Sequence, residues 1–139
     1  MKKTSLFVSL FFVLALLTAC GQTDGPKGDE TILTVGSSEY SQSELEGLGL
    51  ISVDYTNKDG VTTTYEGVAL AELLLDAGTD EGSNVTFTAA DEYSAEMALD
   101  EALACENCII AFDDGSLRAV MPDLSSKLQV KDVVTINIE

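Results

Sequence analysis

The segment YEGVALAELLLDAG, residues 65–78, decides how the rest of the chain is read. From Gly67 onward its apolar residues recur at helical spacing, with Leu70, Leu73, Leu74 and Ala77 on one face. Val68 and Leu75 widen that face, and Gly78 stands where a left-handed C-terminal cap belongs. The spacing predicts a buried helix over 67–78 whose leucines belong to the core. Just upstream, Leu50 to Thr56 and Val61 to Tyr65 are rich in β-branched and aromatic residues and flank Asn57-Lys58-Asp59-Gly60. An Asp-Gly turn between two such runs predicts a hairpin.

Further from the helix, Thr31 to Val35 reads as a strand. Ser41 to Leu48 reads as a short helix, with Ser41 and Glu44 at the spacing of a capping box. Asn84 to Ala89 and Tyr93 to Met97 are expected as strands, followed by a short helix over Ala98 to Ala104. Ile109 to Phe112 and Leu117 to Met121 bracket an Asp113-Asp114-Gly115 turn, and Gln129 to Ile138 forms a closing strand. Many short strands with two or three short helices predict an α+β fold, a single mixed-sheet domain over residues 31–139.

The N-terminus has the three parts of an export signal. Lys2 and Lys3 are its positive end, and Leu6 to Leu17 is an apolar run broken only by Ser9. That run is short of the roughly 20 residues a membrane span needs. It ends in Leu17-Thr18-Ala19-Cys20, the pattern cut by bacterial lipoprotein signal peptidase, where small residues fit the protease and the cysteine thiol takes a diacylglycerol. Residues 1–19 are therefore expected to be a lipoprotein signal peptide, with Cys20 the lipidation site. Residues 20–30 read as a flexible tether, being polar and glycine-rich without a large apolar side chain. The expected location is the extracytoplasmic face of the cell membrane, held by the lipid.

Loss of residues 1–19 leaves five basic side chains (Lys27, Lys58, Arg118, Lys127 and Lys131) against twenty-four acidic ones, a net charge of −19. Such a surface repels nucleic acid and anionic headgroups, so the lipid must anchor the protein without a polybasic patch. It also disfavours phosphate-rich cofactors. Solubility is the plain reading of the charge, and weak calcium binding by clustered carboxylates is the lesser one. Tyr55 to Glu66 has the length of an EF-hand loop, with Asn57, Asp59, Gly60 and Glu66 at its third, fifth, sixth and twelfth positions. Tyr55 occupies the first ligand position, and the flanks read as strands rather than helices, so the hairpin reading is preferred and no metal is expected there.

Of three cysteines, lipidation of Cys20 leaves one pair, Cys105 and Cys108, outside the cytosol where disulfides persist. A disulfide is the first expectation. A thiol redox role is the second, because CxxC bonds are often easily reduced. A metal clip is the third: two thiolates need two more ligands, and the chain has no histidine.

Placed in order, these elements resemble a known family. Tyr65-Glu66-Gly67-Val68-Ala69-Leu70-Ala71-Glu72-Leu73-Leu74 resembles the "tGvpLadLL" segment of the oxidoreductase molybdopterin-binding domain, the sulfite oxidase-like fold. Asp91-Glu92-Tyr93-Ser94 is similar to its "DGYs" turn. Ala111 to Gly115 and Leu117 to Pro122 are similar to its "AyerdGepL" and "PlRlvvP" elements. Val130 to Val133 with Ile136 to Glu139 is similar to its terminal "vKwlkkIev" strand. The resemblance runs over residues 39–139 and implies that fold. It also implies a cysteine shortly before the "GvpL" helix to hold molybdenum, and arginine, lysine and histidine to anchor the pterin pyrophosphate. Ile51 to Asn57 stands there without a cysteine, and Arg118 is the chain's single arginine. The expectation is an inherited fold with a lost cofactor site. No cofactor and no catalytic residue are assigned, and the chain reads as a non-catalytic binding or accessory module for an unknown protein or small molecule. The alternative is a redox protein acting through molybdopterin or through Cys105 and Cys108.

Overall fold

The computed structural model describes residues 30–139. The expected signal peptide, Cys20 and nearly all of the tether lie outside the described residues. The tightest local signal is the first hairpin, where β3 (Leu50–Thr56) pairs with β4 (Thr62–Ala69) without a bulge, from Thr56↔Thr62 to Leu50↔Val68. Gly60 takes the left-handed turn position at φ 79°, and the Asn57 side chain accepts from the backbone of Asp59 and Val61. That side chain organises a turn, the ordinary use of asparagine between strands.

β4 continues past the predicted boundary, which corrects the helix expected over 67–78. Gly67, Val68 and Ala69 are strand, paired with Ala111, Ile110 and Ile109 of β7 (Ile109–Asp113). The helix α2 spans only Leu70–Asp76, and its first N–H donates to the Cys108 carbonyl at 2.8 Å. Local apolar spacing favoured helix through Val68, but pairing with a strand some forty residues later offers those backbone groups a ladder instead. Downstream of Leu70 the expectation holds in part: Leu70, Leu73 and Leu74 are buried and Gly78 has φ 68°, but Leu75, expected to widen that face, points away from the core and is exposed.

The remaining strands divide between two sheets that share one core. The five-stranded sheet has the order β2-β1-β9-β5-β6 and is mixed, since β1 (Thr31–Val35) runs parallel to β9 (Val133–Ile138) and its other pairs are antiparallel. Its other members are β2 (Ser38–Ser41), β5 (Asn84–Ala89) and β6 (Ser94–Ala98). The four-stranded sheet is antiparallel, in the order β3-β4-β7-β8, with β8 at Ser116–Val120. The helices α1 (Gln42–Gly47) and α3 (Leu99–Ala104) complete an α+β domain with three short α-helices. The α+β domain expected from the sequence thus holds two sheets, because β3, β4, β7 and β8 pair among themselves, and the five-stranded one is mixed.

Ser41 and Glu44 form the capping box of α1, with Ser41 N–H donating to the Glu44 carboxylate at 2.8 Å. These hydrogen bonds from Ser41 hold the Glu44 carboxyl below its ordinary pKa. Just before them Tyr40, itself buried, donates its hydroxyl to Asp76 at 2.7 Å and ties β2 to the end of α2. Burial, and then the Asp76 carboxylate, push that phenol well above its usual range. Two other expectations shift. β2 was not anticipated, and the closing strand begins at Val133, not Gln129. Asp132 has φ 55°, which ends the extended run, and Gln129 turns its side chain to the Met121 backbone.

Candidate functional site

Three places carry the chemistry of this fold. The first is the joint between α3 and β7, where Cys105 and Cys108 stand at disulfide distance, sulfur to sulfur 2.00 Å. Cys105 ends α3 and Cys108 opens the buried run Ile109-Ile110-Ala111. Cys108 is fully buried, and its carbonyl starts α2, so the pair sits where three elements meet. Its surroundings disfavour a thiolate. Glu106 lies between the cysteines, Asp100 and Glu101 are on the preceding helix, and Cys105 faces that helix's carbonyl end. Each raises the energy of a negative sulfur. The protein purified without reductant is therefore expected to show no free thiol at Cys105 and Cys108, with a reduction potential below about −250 mV. Thiol titration against a glutathione series checks this, and a potential near those of the oxidising thiol enzymes would return the redox reading.

The second place is the outer face of the four-stranded sheet. Alternation along its strands puts Val53, Ile109, Ala111 and Val120 into a small second cluster, with Tyr55 and Tyr65 packed against it. Arg118 lies on this face. Its guanidinium sits 5.1 Å from the Tyr65 ring centroid, and Nη1 is 3.4 Å from the Asp113 carboxylate. Its Nε is buried without a hydrogen-bond partner. A guanidinium stacked on an aromatic face gains part of the stabilisation that a missing hydrogen bond would give. The chain's single arginine is thus engaged with Tyr65 and Asp113 within the fold. Sequence reasoning named Arg118 but not Tyr65 as its partner. Tyr65 already reads as strand in the sequence, but its place near Arg118 follows from β4 pairing with β7 and β7 with β8, which no local pattern contains.

The third is a cavity of about 480 Å³ between β1, β9 and the tip of the β7–β8 hairpin. Ile32, Phe112, Leu117 and Val133 supply its apolar wall, and Gln42, Ser116 and Asp132 its polar groups. No basic side chain lines it, so a phosphate-bearing ligand would meet Asp132 without a counter-charge. Its walls come from segments far apart in the chain, and nothing in the sequence marked them as neighbours.

Ile51 to Asn57, where the resemblance would place a metal-holding cysteine, is edge strand β3 and the start of its turn. Among the described residues the cysteines are Cys105 and Cys108, which face one another, and no group of three or more histidine, cysteine, aspartate or glutamate side chains is placed to hold a metal. Among the described residues this stretch therefore offers no thiolate, and the one cysteine pair is held at bonding distance.

Two packed sheets, one mixed and one antiparallel, with three short helices define the structural class of this chain. Among solved structures it is similar to the sulfane dehydrogenase SoxCD from Paracoccus pantotrophus, with a TM-score of 0.64 over 83% of this chain at 16% identity. This chain spans 39% of the SoxCD chain. At that identity the likeness is one of fold. No protein-family model matches the chain, and no curated protein matches it.

Proposed function

We propose that the protein is a lipid-anchored extracytoplasmic module that uses a sulfite oxidase-like scaffold for binding rather than catalysis. The observation that carries this reading is the donor set at the expected metal position. β3 has no thiol, and the two described cysteines stand at bonding distance from each other. The acidic surface points the same way, since a pterin pyrophosphate would be held against a strong negative field. On this reading no cofactor is carried, nucleic acid is not bound, and the lipid on Cys20 holds the domain at the membrane while residues 20–30 let it reach a partner.

Elemental analysis of the protein made in a host that synthesises the molybdenum cofactor tests the first half. Well below one molybdenum per chain is expected, and stoichiometric metal would put the redox reading first. The anchor is tested by Cys20→Ser, which should leave the precursor uncleaved by lipoprotein signal peptidase and free of lipid. Normal processing and lipid labelling of that variant would end the lipoprotein reading.

A further inference from the structure

The sheet edges of this fold differ in what closes them. In the five-stranded sheet β2 is four residues long and runs straight into α1, and β6 packs against the 3-10 turn at Ser126–Leu128. In the four-stranded sheet β8 is closed by chain that returns beside it. Ala119 N–H donates to the Val130 carbonyl at 2.8 Å, Met121 N–H to the Gln129 side chain at 3.0 Å, and Arg118 bridges Lys131. β3 has no such cover among the described residues and packs chiefly against β4. It is seven residues long, has no proline, glycine or bulge, and carries one charge, Asp54. Leu50 and Ile51 are 36% and 40% exposed. Natural proteins shorten, bend, charge or cover an edge of this kind, because an open ladder is a template for another strand.

The turn shows which backbone groups point outward. Asn57 N–H donates to the Val61 carbonyl at 2.9 Å, and ladder bonds in an antiparallel pair alternate from there. Tyr55, Val53 and Ile51 therefore direct their N–H and C=O groups to β4. Thr56, Asp54, Ser52 and Leu50 direct theirs away from it. Side chains alternate as well. Ile51, Val53 and Tyr55 share the face that holds Tyr65, while Ser52 and Asp54 share the opposite face with their β4 partners Glu66 and Thr64. Asp54 accepts a hydrogen bond from Thr64 at 2.5 Å, which fixes its carboxylate on that face.

We propose that the β3 edge takes up an extended segment of another protein as an added strand. Apolar residues of that segment would lie beside Ile51, Val53 and Tyr55, alternating with lysine or arginine beside Ser52 and Asp54 and long enough to reach Glu66 across β3. Main-chain bonds supply affinity in such strand addition, and alternate side chains supply selection. Charge argues for a basic segment over a second copy of this chain. The chain carries −17, and no basic side chain lies on β3 to meet Asp54 of a second copy. The proposal rests on the binding-module reading only for the existence of a partner. An edge that binds nothing would remove it and leave that reading to the metal and lipid measurements.

The test uses the full chain in detergent and a fluorescein-labelled peptide of alternating valine and lysine. Saturable anisotropy is expected at low salt, weakening as salt rises. A peptide of the same composition with its lysines grouped at one end should bind at least about tenfold more weakly, since it cannot sort its side chains between the two faces. Hydrogen exchange should slow at the Ser52 and Asp54 amides of the native protein when the alternating peptide binds, with Val53 and Tyr55 unchanged. Ser52→Pro removes an outward N–H and spares the β3–β4 ladder, so it should abolish binding. The double variant Asp54→Asn with Glu66→Gln keeps the fold and should weaken it. Equal binding of the two peptides, or unchanged exchange at Ser52 and Asp54, overturns the proposal. So does a native dimer in sedimentation that Ser52→Pro dissociates, because the edge would then belong to a second copy.

Discussion

Gly67→Ala is expected to destabilise the domain by about 3–5 kcal/mol, the range of severe single substitutions. A Cβ built on Gly67 would lie 2.2 Å from the Ile110 carbonyl oxygen and 2.4 Å from the Ala111 Cα. Both are backbone atoms of β7, the strand paired with Gly67, so no side-chain rotation relieves the contact. The ladder between β4 and β7 must open instead, and it joins the β3–β4 hairpin to the rest of the four-stranded sheet. In a domain of this size each 1 kcal/mol lowers Tm by about 4–8 °C, so a fall of at least about 12 °C is expected. Thermal melting followed by circular dichroism checks this. Gly47→Ala is the control: nothing lies within 4 Å of its Cβ position and it stands in α1, so the change should be neutral or stabilising by up to about 1 kcal/mol. Equal melting points for the two variants would refute the close-approach account of Gly67.

The second large effect is expected at Phe87. It is fully buried on β5, between Ala95 of β6 and Ile136 of β9, and belongs to the main core with Leu33, Leu73 and Leu74. Phe87→Ala removes a ring from the middle of the five-stranded sheet, where neighbours on both sides are held by backbone pairing and cannot collapse into the space. A loss of about 3–5 kcal/mol follows from the transfer and cavity costs together. Phe87→Leu keeps most of the volume and should cost less than about 2 kcal/mol. By contrast Leu75, on the opposite side of α2 from its buried leucines and 54% exposed, should accept alanine within about 0.5 kcal/mol. Denaturant titration of the three variants orders them. A Phe87→Ala protein as stable as Leu75→Ala would mean that the core does not depend on this sheet's centre.

The elements whose signals lie within a few residues were legible before any fold was known. The Asn57–Gly60 and Asp113–Gly115 turns formed where the sequence predicts them, with positive φ at Gly60, Asp114 and Gly115. The capping box of α1 and the leucine face of α2 did so as well. Of the candidate sites, Cys105 and Cys108 were found from their spacing, and the structure brings them to bonding distance. The cavity was not legible, since Ile32, Phe112 and Val133 have no pattern that joins them.

Local chemistry, read residue by residue, was thus enough for the α+β class and the turn-closed hairpins, and it marked Cys105 and Cys108 as a candidate pair. A capping side chain reaches three residues along, a turn closes over four, and a helical face repeats every three or four. The tertiary structure alone decided where β4 ends, that the strands form two sheets, and which edge stays open. Gly67 to Ala69 are strand because Ile109 to Ala111 lie beside them, and β8 is covered while β3 is not because Gln129 to Lys131 return along it. Those outcomes rest on hydrogen bonds and contacts between residues from about ten to about a hundred positions apart. Their free energy arises only when the whole chain has collapsed around one core, so no window of sequence contains it.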